Sequence, residues 1–299
     1  VITEEAPEIA PAPAPAAPEP PRPAARRRRA WDEVPRWQIY LPLSVYLLFT
    51  LIPFYWILLF ALRPAGSTSL VPWPMTSVHF GKVWNERSFG VYFQNSVLVG
   101  VATLVMTTVV ALAGGYALAR FDFRLKRGFM LALLCTQFVP GALLLVPLFE
   151  IFANLRMINS LASVVIAETV FQLPLSMILI SGFIRNVPYS LEEAAWVDGC
   201  NRFTGFRIVV LPLLRPGLIA VGSFAFVHAW NHFLFALMFL SDQGKQTIPV
   251  GLNTLMSADS VDLGALAAGG IVAAVPVVIV FAFIQKWLIT GFSAGAVKG

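Results

Sequence analysis

Six long apolar runs alternate with shorter polar stretches along the chain, at about residues 38–62, 94–119, 128–150, 159–183, 213–240 and 265–290. Each can cross the hydrocarbon core of a bilayer as a helix, which takes ~20 residues. Backbone in lipid must satisfy its own hydrogen bonds, and a helix does so within one segment. The pattern predicts an all-α polytopic membrane protein with six transmembrane helices. Between the fourth and fifth runs the chain reads SLEEAAWVDGCNRFTGFRIVVLPLLRP over residues 190–216, where Glu192, Glu193 and Asp198 interrupt an otherwise apolar sequence.

That interruption is built like a folded element. Pro188 closes the fourth span, because proline cannot continue a helix interior. Ser190 followed by Glu193 forms the pattern of a capping box. Ala194, Ala195 and Trp196 favour a short helix, which Gly199 ends by turning left-handed. A second short helix begins near Asn201, puts Phe203, Phe206 and Ile208 on a sticky face, and is broken by Pro212. The expected product is a helix–turn–helix. An amphipathic element resting on headgroups is the alternative, but its acids would be repelled by an anionic leaflet, so a protein socket is favoured.

Composition supports a membrane protein: 58% of residues are hydrophobic and 12% charged, with a mean hydropathy of +0.75, against about 25% charged in soluble domains. Residues 1–30 are different, being nearly all Ala, Pro and charge, and are expected to be a disordered head without a cleavable leader. Arg26–Arg29 beside a first span read as a cytoplasmic anchor in contact with lipid, not as a nucleic-acid patch. With the N-terminus inside, only Arg63, Lys82, Arg87, Arg156 and Lys245 of the 21 Lys and Arg fall outside. Eleven inside remain even without the five in the head. The segment RFDFRLKR (120–127) is the strongest inside marker, so both termini and the polar loop are expected in the cytosol.

Polar groups within the spans are costly and therefore informative. Glu168 lies in the fourth, and the fifth contains FVHAWNHF, with His228, Trp230, Asn231 and His232 close together. The histidines at i and i+4 share a helix face. An interhelical network or wet pathway lining is favoured, with a proton relay or metal site as the alternative. Cys135 and Cys200 belong to different environments, so neither a disulfide nor a metal cluster is expected. Prolines 42, 53, 140, 147, 174 and 276 predict bent spans, and Gly114-Gly115 and Ala265–Gly270 predict close helix packing.

Glu193-Ala194-Ala195, then Gly199, then Leu211-Pro212 resemble the EAA loop of binding-protein-dependent ABC importers in order and spacing. NSVLVG (95–100), ALAGGYALARFDF (111–123), VPLFEIFANLRMINS (146–160), HAWNHFLFAL (228–237), TIPVGL (247–252) and GFSAGAVKG (291–299) are similar to MalG-type carbohydrate permeases. The likeness runs over about residues 38–299. It implies a type I ABC importer permease fold, with a permease domain over 31–299, a coupling loop at 186–212 and a cytoplasmic tail at 291–299.

The same resemblance implies a transport subunit of the bacterial plasma membrane with no ATPase site of its own. Its partners would be a second, MalF-like permease, two copies of a cytoplasmic ATPase that bind ATP and Mg, and an extracytoplasmic sugar-binding protein. In the coupling loop, Glu193 would pair with a basic residue of the ATPase and Ala194 and Ala195 would permit close approach. Gly199 would make the turn, with Glu192, Asp198 and Pro212 in the same contact region. The tail, with Ser293, Gly295 and Lys298, would reach between the ATPase subunits. Family permeases often have an acid where this chain has His232. GKQT (244–247) lacks phosphate-loop spacing. Outward loops 63–93 and 241–264, with Trp73, Trp84 and Asp259, are candidates for meeting the binding protein. Other cargo such as glycerol phosphate, or a proton-driven transporter using Glu168 and His228, are the alternatives; no inverted repeat supports the latter.

Overall fold

The computed structural model describes residues 35–86, 88–256 and 261–296, with side chains up to 286. The head 1–30, Arg87, Asp259 and Lys298 lie outside the described residues. The chain divides between Ile52 and Pro53 into two compact units. In the first, the described residues 36–52 are helical and all exposed, with Tyr46, Leu48 and Phe49 among them. An apolar surface of this kind suits lipid, where the solvent is itself hydrocarbon.

Thirteen α-helices are present among the described residues: α1 (Arg36–Leu62), α2 (Val78–Gly81), α3 (Phe89–Arg120), α4 (Lys126–Thr136), α5 (Leu145–Asn154), α6 (Leu161–Arg185), α7 (Ser190–Val197), α8 (Arg202–Gly205), α9 (Leu211–Leu213), α10 (Arg215–Asn231), α11 (Leu234–Phe239), α12 (Ile248–Met256) and α13 (Leu263–Ala296). Widened π-type turns extend α2 over Lys82–Glu86 and link α8 to α9 over Phe206–Val210. Among the described residues four helices are long and apolar enough to cross a membrane, and up to six spans result if each bent pair counts as one.

Bending departs from the simplest reading of two apolar runs. The run at 128–150 folds as two helical pieces that meet at 94°. Pro140 has no N–H to continue the ladder and disfavours helical backbone at the residue before it, so α4 stops at Thr136. The main helix of the run at 213–240 ends at Asn231. His232 is extended, with ψ 124, and α11 begins two residues later. Pro174 and Pro276, by contrast, sit within α6 and α13 without ending them.

The second unit is organised around α3, which packs along α6 and α10. Gly115 faces Ile180 and the Ser181 backbone of α6, and Gly100 faces the Phe226 ring of α10. Small buried side chains (Ser96, Thr103 and Thr107 on α3, Ser163, Ser176 and Ser181 on α6) keep these helices close. At the Phe89 end of α3, Asn95 Nδ2 donates to the carbonyls of Gly244 (3.1 Å) and Gln246 (2.9 Å), and Ser96 Oγ accepts from Ile248 N at 2.8 Å. Lys245 Nζ donates to Asn159 O at 2.9 Å, so the 240–248 segment is tied to the starts of both α3 and α6.

Candidate functional site

Two places hold the chemistry: the α7–α9 element and the polar cluster where α6 meets α10. In α7 the backbone of Tyr189 is already helical (φ −62, ψ −30), and its carbonyl accepts from Glu192 N and Glu193 N. Pro188 O accepts from Leu191 N. The expected capping box is therefore not formed, because backbone carbonyls already satisfy the first-turn donors. Glu193 is left exposed and free to face outward.

The other end of α7 follows the sequence reading. Gly199 has φ +89, Gly199 N donates to Trp196 O and Cys200 N to Ala195 O, the paired bonds of a Schellman stop. Asn201 then caps α8, its Oδ1 accepting from Thr204 N at 2.7 Å. Phe203 and Ile208 are exposed, while Phe206 turns inward against the Tyr116 ring at 5.0 Å between centroids. Pro212 does not break the second helix as expected: it lies within α9, and the 74° bend into α10 falls at Leu214, before Pro216.

The residues of the EAA pattern face in two directions. Glu193, Ala194, Asp198 and Gly199 are exposed, and Val197 beside them is 87% exposed. Ala195 is buried, its Cβ 3.6 Å from where a Cβ on Gly205 would stand. Within this chain, the close approach it permits is between α7 and α8.

Glu192 is also turned inward and is 1% exposed. Its Oε1 accepts from Arg120 Nε at 2.6 Å and its Oε2 from the Tyr116 hydroxyl at 2.7 Å. Arg120 Nη2 donates to Val187 O at 2.9 Å. A buried carboxylate is tolerable only when paired and hydrogen-bonded in this way. Arg120 and Tyr116 were missed as site residues from sequence. Their signal was an i, i+4 polar pair on one face at the end of an apolar helix.

In the second cluster Glu168 is fully buried, seven residues after the start of α6, or ~10 Å along it. That places it five residues before the midpoint of α6 at Leu173, closer to the middle of the span than to its end. His228 Nδ1 hydrogen-bonds Glu168 Oε2 at 3.1 Å. His232 Nδ1 lies 2.6 Å from Oε1, close enough for an ionic contact but off the line of a hydrogen bond. The two imidazoles stack at 5.2 Å. They share with Asn231, Gln172, Ser176 and Phe224 the wall of a cavity of about 710 Å³. Trp230 does not join this wall. It is buried between Phe93 and Phe226 and donates to Ala273 O at 3.0 Å, pinning α10 to α13. Among the described residues no trio of His, Cys, Asp or Glu is arranged to hold a metal ion.

Residues 110–293 match the family of binding-protein-dependent transport system inner membrane components. The chain belongs to that family. It is 34% identical over 252 residues to the diacetylchitobiose uptake system permease protein DasC of Streptomyces coelicolor, covering 83% of this chain and 91% of that one. It is 31% identical over 252 residues to the melibiose/raffinose/stachyose import permease protein MelC of Bacillus subtilis, with the same coverage. It is 30% identical over 256 residues to the trehalose transport system permease protein SugB of Mycobacterium tuberculosis, covering 84% and 93%. The fold matches a crystal structure of a bacterial ABC transporter involved in the import of the acidic polysaccharide alginate, with a TM-score of 0.71 at 20% identity over 85% of this chain and 98% of that one.

Proposed function

We propose that this chain is one of two permease subunits of an ATP-driven importer, forming half of the membrane pathway for a sugar or oligosaccharide. An extracytoplasmic binding protein delivers the sugar, and two copies of a cytoplasmic ATPase bind ATP with Mg²⁺. The observation that carries the reading is the α7–α9 knob. It is a folded element between two spans, stopped by Gly199, that exposes Glu193, Ala194, Val197 and Asp198 together. An acid flanked by small and apolar exposed groups suits a socket that combines a basic side chain with an apolar floor. ATP-driven closure of the ATPase pair would draw two such knobs together and switch the spans between inward- and outward-facing arrangements. The bias of Lys and Arg supports six spans with both termini in the cytosol of a bacterium. The names of the three relatives support a carbohydrate as cargo. Among the described residues no Lys or Arg lines the cavity beside Glu168, which favours an uncharged solute over glycerol phosphate. At the far end α13 runs through Ser293 and Gly295 as continuous helix to Ala296, in keeping with a tail that extends towards the ATPase.

The test is co-purification. Glu193→Lys is expected to leave the permease in the membrane while the ATPase is lost or its hydrolysis no longer drives uptake. Normal ATPase stoichiometry with unimpaired sugar uptake would overturn the docking role. A second reading rests on the contacts of Glu168 with both histidines, which would suit a proton relay in a stand-alone transporter. Uptake by this chain alone, driven by a pH gradient in vesicles, would establish that reading instead.

A further inference from the structure

A stroke received by α7 has two routes into the membrane. The first is along the backbone, through α8, the widened turn at Phe206–Val210 and α9, to the 74° bend at Leu214. This route is compliant. Its ladder is interrupted by the π-type turn, and Pro212 and Pro216 each lack a donor around the bend.

The second route is through side chains into α3. Glu192 holds Arg120 Nε and the Tyr116 hydroxyl, and Arg120 also holds Val187 O at the entry to α7. Both side chains of the ion pair are nearly inaccessible, at 9% for Arg120 and 2% for Glu192, so water cannot readily exchange for either partner. Of the four long helices, α3 alone contains no proline: α1 has Pro42 and Pro53, α6 has Pro174 and α13 has Pro276. It runs unbroken for 32 residues, ~48 Å at the helical rise. Its other end is fastened as well, by Asn95 to Gly244 and Gln246 and by Ser96 to Ile248. Arg120 and Asn95 are ~38 Å apart along the axis.

We propose that α3 is a rigid rod that carries the coupling stroke from α7 to the 240–248 segment. Glu192 is the positioning residue that bolts the knob to one end of the rod, and Asn95 fastens the other. The inference rests on the reading that the knob docks on an ATPase. It adds that the neighbouring acids divide the work, Glu193 facing the partner and Glu192 facing the rod.

The experiment is hydrogen exchange on the full complex in nanodiscs, nucleotide-free and trapped with MgATP and vanadate, reading peptides that cover 240–248. Wild type is expected to show a nucleotide-dependent change there. Glu192→Gln, which keeps shape but removes charge, is expected to retain the ATPase at normal stoichiometry and to shrink that change roughly five- to tenfold, within the range of ordinary coupling between sites. The charge swap Arg120→Glu with Glu192→Arg should restore it, which a residue needed only for folding would not do. Asn95→Ala should abolish the response at 240–248 and leave the response at α7 intact. A wild-type response in Glu192→Gln, or no response at 240–248 in wild type, would overturn the rod. Loss of the ATPase from Glu192→Gln alone would make Glu192 a docking residue and overturn its positioning role. A wild-type complex that binds no ATPase would instead remove the docking reading beneath it.

Discussion

At the scale of single residues, Asp262 shows how one carboxylate outside the spans does several jobs. Its Oδ2 accepts from Lys82 Nζ at 2.6 Å, and its Oδ1 accepts from Ala265 N at 3.0 Å as the cap of α13. Lys82 and that backbone donor hold its carboxyl below the ordinary value of 3.8. A depressed carboxylate stabilises the fold above its ordinary pKa, and that contribution disappears as pH falls through the lower folded value. The start of α13 should therefore loosen only in the acid range below about pH 4. Asp262→Ala is expected to remove about 1 kcal/mol of capping at neutral pH, and Asp262→Asn to retain most of it. Thermal unfolding of the purified permease in detergent at neutral and acid pH checks both. Glu168 is a different case, buried in a span with two imidazoles against it. Glu168→Gln removes a charge-assisted contact of about 1.5–3 kcal/mol and is expected to lower uptake more than assembly. Equal uptake at normal complex yield would make it a packing residue.

At the scale of elements, two glycines decide whether helices can meet or stop. A Cβ on Gly115 would stand 2.7 Å from Ile180 Cγ2 and 3.1 Å from the Ser181 backbone nitrogen. Gly115→Val should therefore push α3 from α6 and cost about 1–3 kcal/mol by overpacking, seen as a lower unfolding midpoint. Gly199 is limited by conformation and not by space, since nothing lies within 4 Å of its position and its φ is +89. Valine there is expected to cost at least about 1–2 kcal/mol of backbone strain and to unwind the stop after α7. ATPase retention should fall while the spans persist by circular dichroism. The element boundaries were legible in the sequence where such local signals act alone, as at Gly199 and Asn201. They were not legible where signals competed. Ser190 and Glu193 have the spacing of a capping box, but a helical Tyr189 satisfied the same donors first. Pro212 looked like a breaker and was absorbed into α9, while the bend fell at Leu214.

At the scale of the whole molecule, the apolar runs, the inside-positive bias and the EAA spacing were enough to reach the membrane class, the helical fold and the family from sequence alone. These are properties of composition and local order, and a bilayer leaves an apolar chain few ways to satisfy its backbone. Tertiary structure decided which way each polar side chain points. Adjacent acids Glu192 and Glu193 are indistinguishable as letters, yet one is sealed against Arg120 and Tyr116 from a helix some seventy residues earlier and the other is exposed. Glu168 reaches two imidazoles sixty or more residues away, while Trp230, between them in sequence, faces the opposite packing layer. Such pairings depend on which helix faces approach one another across the core. Spacing along the chain carries no information about that approach, because it is set by glycine contacts, bends and buried charge acting together.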